Sequence, residues 1–135
     1  MSGQHRAVHA YRQASLESAP PLKIVRMLYQ GALRFLGQAQ RMDPKADAAE
    51  FNARLARADE VVAELRLALD KNAAGDLCEN LERLYLYVED RISLAMREGD
   101  VSPLDSAISV LEVLLDGWSA VETQIDPSTT HGNAA

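Results

Sequence analysis

Three histidines and one cysteine are the residues with the most reactive chemistry to offer. His5 and His9 stand one helical turn apart, a spacing at which two imidazoles can share a metal ion. They sit in a polar N-terminal stretch with no third ligand of good type nearby, so no metal site is expected. His131 lies near the C-terminus, and no histidine occurs between residues 10 and 130. That gap removes a mid-helix phosphotransfer histidine and the Glu-x-x-His pairs of a di-iron bundle. It also removes any Ser/His/Asp set, and no glycine-rich phosphate loop is present. Cys78 is alone, which excludes an internal disulfide and a cysteine-based zinc site. It is expected to fill a small core position. Acidic pairs such as Asp59-Glu60 and Glu89-Asp90 fit solvated helix faces. These residues point to a binding protein, not an enzyme, with no cofactor.

The elements that would position such a protein's surface are set by its punctuation. Pro20-Pro21, Asp43-Pro44, Asn72 to Asp76 with Gly75, Gly99 to Pro103, and Asp126-Pro127 mark off four proline-free stretches of roughly 20 residues. Each is long enough for a helix of about 30 Å. The first, from Pro21 to about Met42, places Leu22, Val25, Tyr29, Ala32, Leu36 and Ala39 inward. In the second, Phe51, Leu55, Ala58, Val62, Leu65 and Leu69 form a heptad seam. The third, from about Asp76 to Glu98, places Leu77, Leu81, Leu84, Tyr85, Val88, Ile92 and Ala95 inward. The fourth offers Ser102, Pro103 and Asp105 as a capping box, then Leu104, Ile108, Leu111, Leu115 and Trp118 as its core face. Short connections make neighbouring helices antiparallel. The expected fold is all-α: an up-down four-helix bundle over residues 20–125. Residues 1–19 form a short N-terminal helical arm and residues 126–135 a disordered tail.

The 135 residues fit one domain, and 47% hydrophobic with 25% charged residues is ordinary for a globular chain. The net charge of -6 argues against a nucleic-acid partner. No apolar run approaches the roughly 18 residues of a membrane span, and the polar stretch Met1–Ala10 is no secretory signal. A soluble cytoplasmic protein is the expectation. The charge is uneven: residues 1–45 carry seven basic and two acidic side chains, and nothing after Arg97 is basic. Lys23, Arg34 and Arg41 share one face of the first helix; Asp105, Glu112, Asp116 and Glu122 share one face of the fourth. Each reads either as a solvated face or as a field that orients a partner.

Apolar residues exceed what one core stripe per helix needs. Ile24, Leu28, Gly31, Phe35 and Met42 widen the first helix's arc. Tyr87 and Leu94 form a second stripe on the third helix, and Val110, Val113, Gly117 and Val121 widen the fourth. The surplus serves thicker packing, a self-association face, or a groove for a partner helix.

Several segments together resemble the FliS-type flagellar secretion chaperone family. They run from Ala10-Tyr11-Arg12-Gln13 through Ser18-Ala19-Pro20-Pro21, then along Ile24-Val25-Arg26-Met27-Leu28-Tyr29-Gln30-Gly31-Ala32-Leu33-Arg34-Phe35-Leu36. Leu65 to Asp70, Gly75, Asn80-Leu81 and Leu84-Tyr85-Leu86-Tyr87-Val88 follow, and then Asp100, Leu104 and Trp118. The similarity spans residues 10–118 in order. Pro20 stands where the family has Ser, which leaves Ser18 to cap the first helix. Gln30, Leu86 and Met96 replace the family's Asp, Asp and Asn.

The resemblance implies a cytosolic export chaperone. Its client would be the C-terminal segment of flagellin, kept from premature polymerisation and competent for flagellar type III secretion. Components of the export apparatus are further expected partners; nucleic acid and membrane insertion are not. Combining that implication with the surplus stripes gives Tyr87, Leu94, Val110, Val113 and Val121 as client contacts, with Asp90 on their border. Val8 and Tyr11, an apolar pair in the polar arm, are expected to dock on the empty bundle. The alternative is a self-associating bundle or regulatory adaptor without a flagellin client, and monomer and homodimer both stay open.

Overall fold

The computed structural model describes residues 21–73 and 75–125. The arm, with Val8, Tyr11 and the proposed cap Ser18, and the tail lie outside the described residues. Four helices follow one another: α1 Leu22–Gln40, α2 Ala48–Leu67, α3 Leu77–Glu98 and α4 Leu104–Ile125. Each packs on two neighbours, in the ring order α1–α2–α3–α4 and back to α1. With short connections this is the antiparallel up-down bundle, and the described residues contain no strand.

The boundaries follow local chemistry. Pro21 opens α1 without a side-chain cap; its carbonyl accepts from the amides of Ile24 and Val25. Asp43 builds the turn before α2, its carboxylate accepting from the Lys45 and Ala46 amides. Those bonds hold its pKa below the ordinary carboxylate value. Gly99 closes α3 in the left-handed region, at φ 59°. There the Asp100 amide reaches back to the Ala95 carbonyl, a geometry that favours glycine. The capping box expected at α4 does not form. Ser102 gives its hydroxyl to Asp100, and Asp105 accepts from Gln40 at 2.6 Å.

The core lies between all four helices, with Tyr29, Tyr85, Phe51, Leu28, Leu36, Leu55, Leu65, Ile92, Leu104 and Leu111 among its fully buried side chains. Of the α2 seam Phe51, Leu55, Ala58, Val62 and Leu65 are buried, joined by Val61, while Leu69 lies beyond the helix and is half-buried. On α1 the extra arc is packing: Leu28, Gly31 and Phe35 are buried, because α1 serves two neighbours. Phe35 also takes the guanidinium carbons of Arg34 and Arg57 at 5.5 Å from its ring centre.

Further expectations fail, the solvated acidic pairs among them: Asp59 and Glu89 are half-buried. Leu77 is 60% exposed, because its seam position falls on the first residue of α3, at the end of the bundle where α2 has stopped. Leu84 is exposed on the edge of the seam, and Cys78 is half-buried, not core. Glu122 is buried at 7% exposure, because Arg26 compensates its charge.

Candidate functional site

Polar contacts fix which way α3 and α4 face. Arg66 near the end of α2 grips Glu89 through two bonds, Nε at 2.6 Å and Nη2 at 3.2 Å. Lys71, just beyond α2, pairs with Glu82 at 3.1 Å. At 100° per residue these contacts define the side of α3 turned to α2. The opposite flank, turned to α4, carries Leu84, Tyr87, Arg91 and Leu94. On α4, Asp105 meets Gln40, Trp118 meets Tyr29 and Glu122 meets Arg26, all on α1. The flank turned to α3 carries Val110, Leu114, Gly117 and Val121, with Val113 on its outer margin.

Two apolar flanks therefore border one seam. Tyr87 is 43% exposed and Val113 69% exposed; Leu84 and Val121 are exposed as well. Leu94, Val110 and Leu114 are half-buried and line the floor. Asp90 is exposed on the outer margin of α3. The connection 99–103 sets the register: positions equally far from it in opposite directions lie level, which puts Tyr87 near Leu115 and Leu94 near Ile108. On α4 Asp105 and Glu122 pair with α1, while Glu112 and Asp116 are exposed; Val113, Gly117, Ala120 and Val121 carry no charge themselves. Exposed apolar surface of this kind marks an interaction site.

The floor beneath is held by a buried polar network. Trp118 donates its indole N–H to the Tyr29 hydroxyl at 3.0 Å, and that hydroxyl shares a 2.5 Å hydrogen bond with Tyr85. The two tyrosine rings are tilted, with centres 6.3 Å apart. Burial pushes the Tyr29 phenol up to about 12, against the lowering effect of its two hydrogen bonds. The network ties α1, α3 and α4 at one level and leaves α2 to hydrophobic contact and the Arg66–Glu89 pair. Asp59 is pushed above the ordinary carboxylate value by burial, then by the Glu89 charge, with Arg66 acting in the other sense.

All six expected surface contacts within the described residues lie at the α3–α4 seam or on its border: Tyr87, Leu94, Val110, Val113 and Val121, with Asp90 beside them. Val8 and Tyr11 lie outside the described residues. Sequence reasoning missed Leu84, Leu114 and Arg91. Leu114 lies one turn from Val110, and Arg91 one turn from both Tyr87 and Leu94, so spacing alone held the signal. Among the described residues no cluster of three His, Cys, Asp or Glu side chains is placed to hold a metal, and no helix is long and apolar enough to cross a membrane.

Fold and site together define a helical bundle with exposed apolar residues along its α3–α4 seam, the type of surface that receives an amphipathic segment. The family described as flagellar protein FliS matches residues 4–125, and the chain belongs to it. It is 32% identical over 120 residues to the flagellar secretion chaperone FliSB of Pseudomonas aeruginosa, covering 86% of this chain and 95% of the relative. It is 29% identical to the flagellar secretion chaperone FliS of Vibrio cholerae, covering 85% and 88%. With that of Bacillus subtilis it shares 27% identity over 92% of this chain and 91% of the other.

Proposed function

We propose that the chain is a flagellar export chaperone that binds the C-terminal segment of flagellin along the α3–α4 groove. It holds that segment unpolymerised and fit for type III secretion, in the cytosol and without catalysis. The observation that carries the reading is the uncharged, exposed apolar flank of α4 beside Tyr87, in a chain of this family. A disordered segment loses conformational freedom as it binds, at a cost of about 2–5 kcal/mol or more. Burial of apolar area along a groove two helices long offsets that cost. Val8 and Tyr11 of the arm dock on the bundle when no client is present and move or are displaced when it binds.

Co-expression with flagellin, followed by co-purification and light scattering, tests the reading. A one-to-one complex from a monomer supports it. Failure to retain flagellin in mild salt, or a dimer blind to the flagellin peptide, counts for a self-associating adaptor instead. Deleting residues 1–17 should change the dissociation constant; an unchanged value removes the role of the arm.

A further inference from the structure

We propose that Arg91 reads a carboxylate on the segment filling the α3–α4 groove. The partner is then an amphipathic helix with one Asp or Glu set within its apolar stripe. The inference rests on the groove being the client site.

Arg91 lies on the groove flank of α3, four residues after Tyr87 and three before Leu94, which places all three on one side of the helix. The residue is half-buried, and its Nε is shut off from solvent with no hydrogen-bond partner. A buried donor left unpaired is unfavourable, and more so when the group is charged. Two other arginines show how this chain satisfies the same atom. Arg26 and Arg66 each grip a carboxylate in a fork, and in both the Nε bond is the shorter, at 2.8 Å and 2.6 Å. Arg91, on the same side of α3 as Tyr87 and Leu94, makes no such fork: its Nε has no acceptor. On α4 Asp105 and Glu122 are taken up by Gln40 and Arg26, and the exposed Glu112 and Asp116 leave the Arg91 Nε unpaired. Neither Asp90 beside Arg91 nor Glu98 two turns on pairs with it among the described residues.

The guanidinium is therefore a half-buried, unpaired cation among the apolar residues Leu84, Tyr87 and Leu94. A carboxylate arriving there meets a planar fork matched to its two oxygens, and the surrounding apolar side chains exclude the water that would weaken the pair. A segment with a basic residue at that level is rejected, and one with an amide is held less firmly.

The test uses the full-length chain, a synthetic peptide of the client flagellin's C-terminal segment, and a set of peptides with each Asp or Glu changed singly to its amide. Binding is measured by titration calorimetry to the native chain and to Arg91→Met and Arg91→Lys. The expected result is a loss of roughly tenfold in affinity for Arg91→Met, the scale of a hydrogen bond to a charged group. Its melting temperature should be unchanged or raised, because an unpaired donor has been removed. One amide peptide should show the same loss on the native chain and none on Arg91→Met, and Arg91→Lys should recover part of the affinity. Equal affinity of the native chain and Arg91→Met, or amide effects identical on both, overturns the carboxylate assignment and leaves the client site standing. A native chain that does not bind the unmodified peptide overturns the client reading and this inference with it.

Discussion

The indole N–H of Trp118 lies 3.0 Å from the hydroxyl of Tyr29, joining the last helix to the first across the core. The Tyr29 oxygen accepts that bond and shares another with Tyr85. One oxygen atom thus holds three of the four helices in register beneath the groove. The geometry of that surface depends on an atom buried in the core.

Tyr29→Phe removes that atom. It leaves the Trp118 N–H without its acceptor, so the substitution should cost about 1–3 kcal/mol of stability. For a bundle of about 100 residues this is a fall of roughly 4–8 °C in melting temperature per kcal/mol. Calorimetry checks it; an unchanged melting temperature would show that the network contributes little.

The same residue sets an alkaline limit. The folded-state pKa of Tyr29 is about 12, against 10.0 for the free side chain. A raised folded pKa gives stability that is fully present below the unfolded value. It is lost as pH rises through the folded value. Denaturant titrations should therefore show stability falling between pH 10 and 12, and Tyr29→Phe should flatten that part of the profile.

Asp59 works in the same sense at the acid end. Its folded pKa is raised, so its charged form weakens the fold at neutral pH, and that penalty disappears once the carboxyl is protonated. Asp59→Asn should raise the melting temperature at neutral pH. The gain should vanish at pH values below the ordinary carboxylate pKa of about 3.9. A gain that is the same at both pH values would place its cause elsewhere.

Glu122 is the one buried charged side chain among the described residues. Glu122→Ala leaves Arg26 without its fork partner and should cost about 1–3 kcal/mol. Removing both residues together should cost less than the sum of the single changes. Additive losses in a double-mutant cycle would show that the pair carries no coupling.

Tyr87→Asp places a charge on the exposed groove wall. It should weaken flagellin binding while leaving the melting temperature nearly unchanged, as for surface substitutions generally. A large fall in melting temperature would contradict the exposure of Tyr87.

Periodicity made the bundle legible because a heptad seam such as Phe51 to Leu65 reports directly which side of a helix is covered. It also drew attention to Tyr87, Leu94, Val110, Val113 and Val121. It could not separate groove from packing, because an apolar residue on the flank of a helix looks the same whether a neighbour covers it or not. Leu28 and Phe35 proved to be core, while Val113 stands open. Ends misled for a related reason: Leu77 keeps the seam spacing one turn past the point where α2 can cover it. Glu122 was out of reach because its burial depends on Arg26, 96 positions earlier in the chain. Arg91 carries no apolar signal; its spacing from Tyr87 and Leu94 puts it on their side of the helix, but its unpaired nitrogen shows only in the folded chain.

The outer flank of α4 has a consequence for the protein at rest. Val113, Gly117, Ala120 and Val121 carry no charge on that side, so the acidic residues that border it, Asp90 and Asp116, are what opposes a second molecule approaching with the same side foremost. The charged faces around the other helices keep the rest of the surface in water. The described bundle is in that respect a surfactant, charged around most of its surface and apolar where Tyr87, Val113 and Val121 meet water. Any pairing over the apolar side subtracts from the supply ready for a client, so mass action ties the protein's capacity to its own concentration.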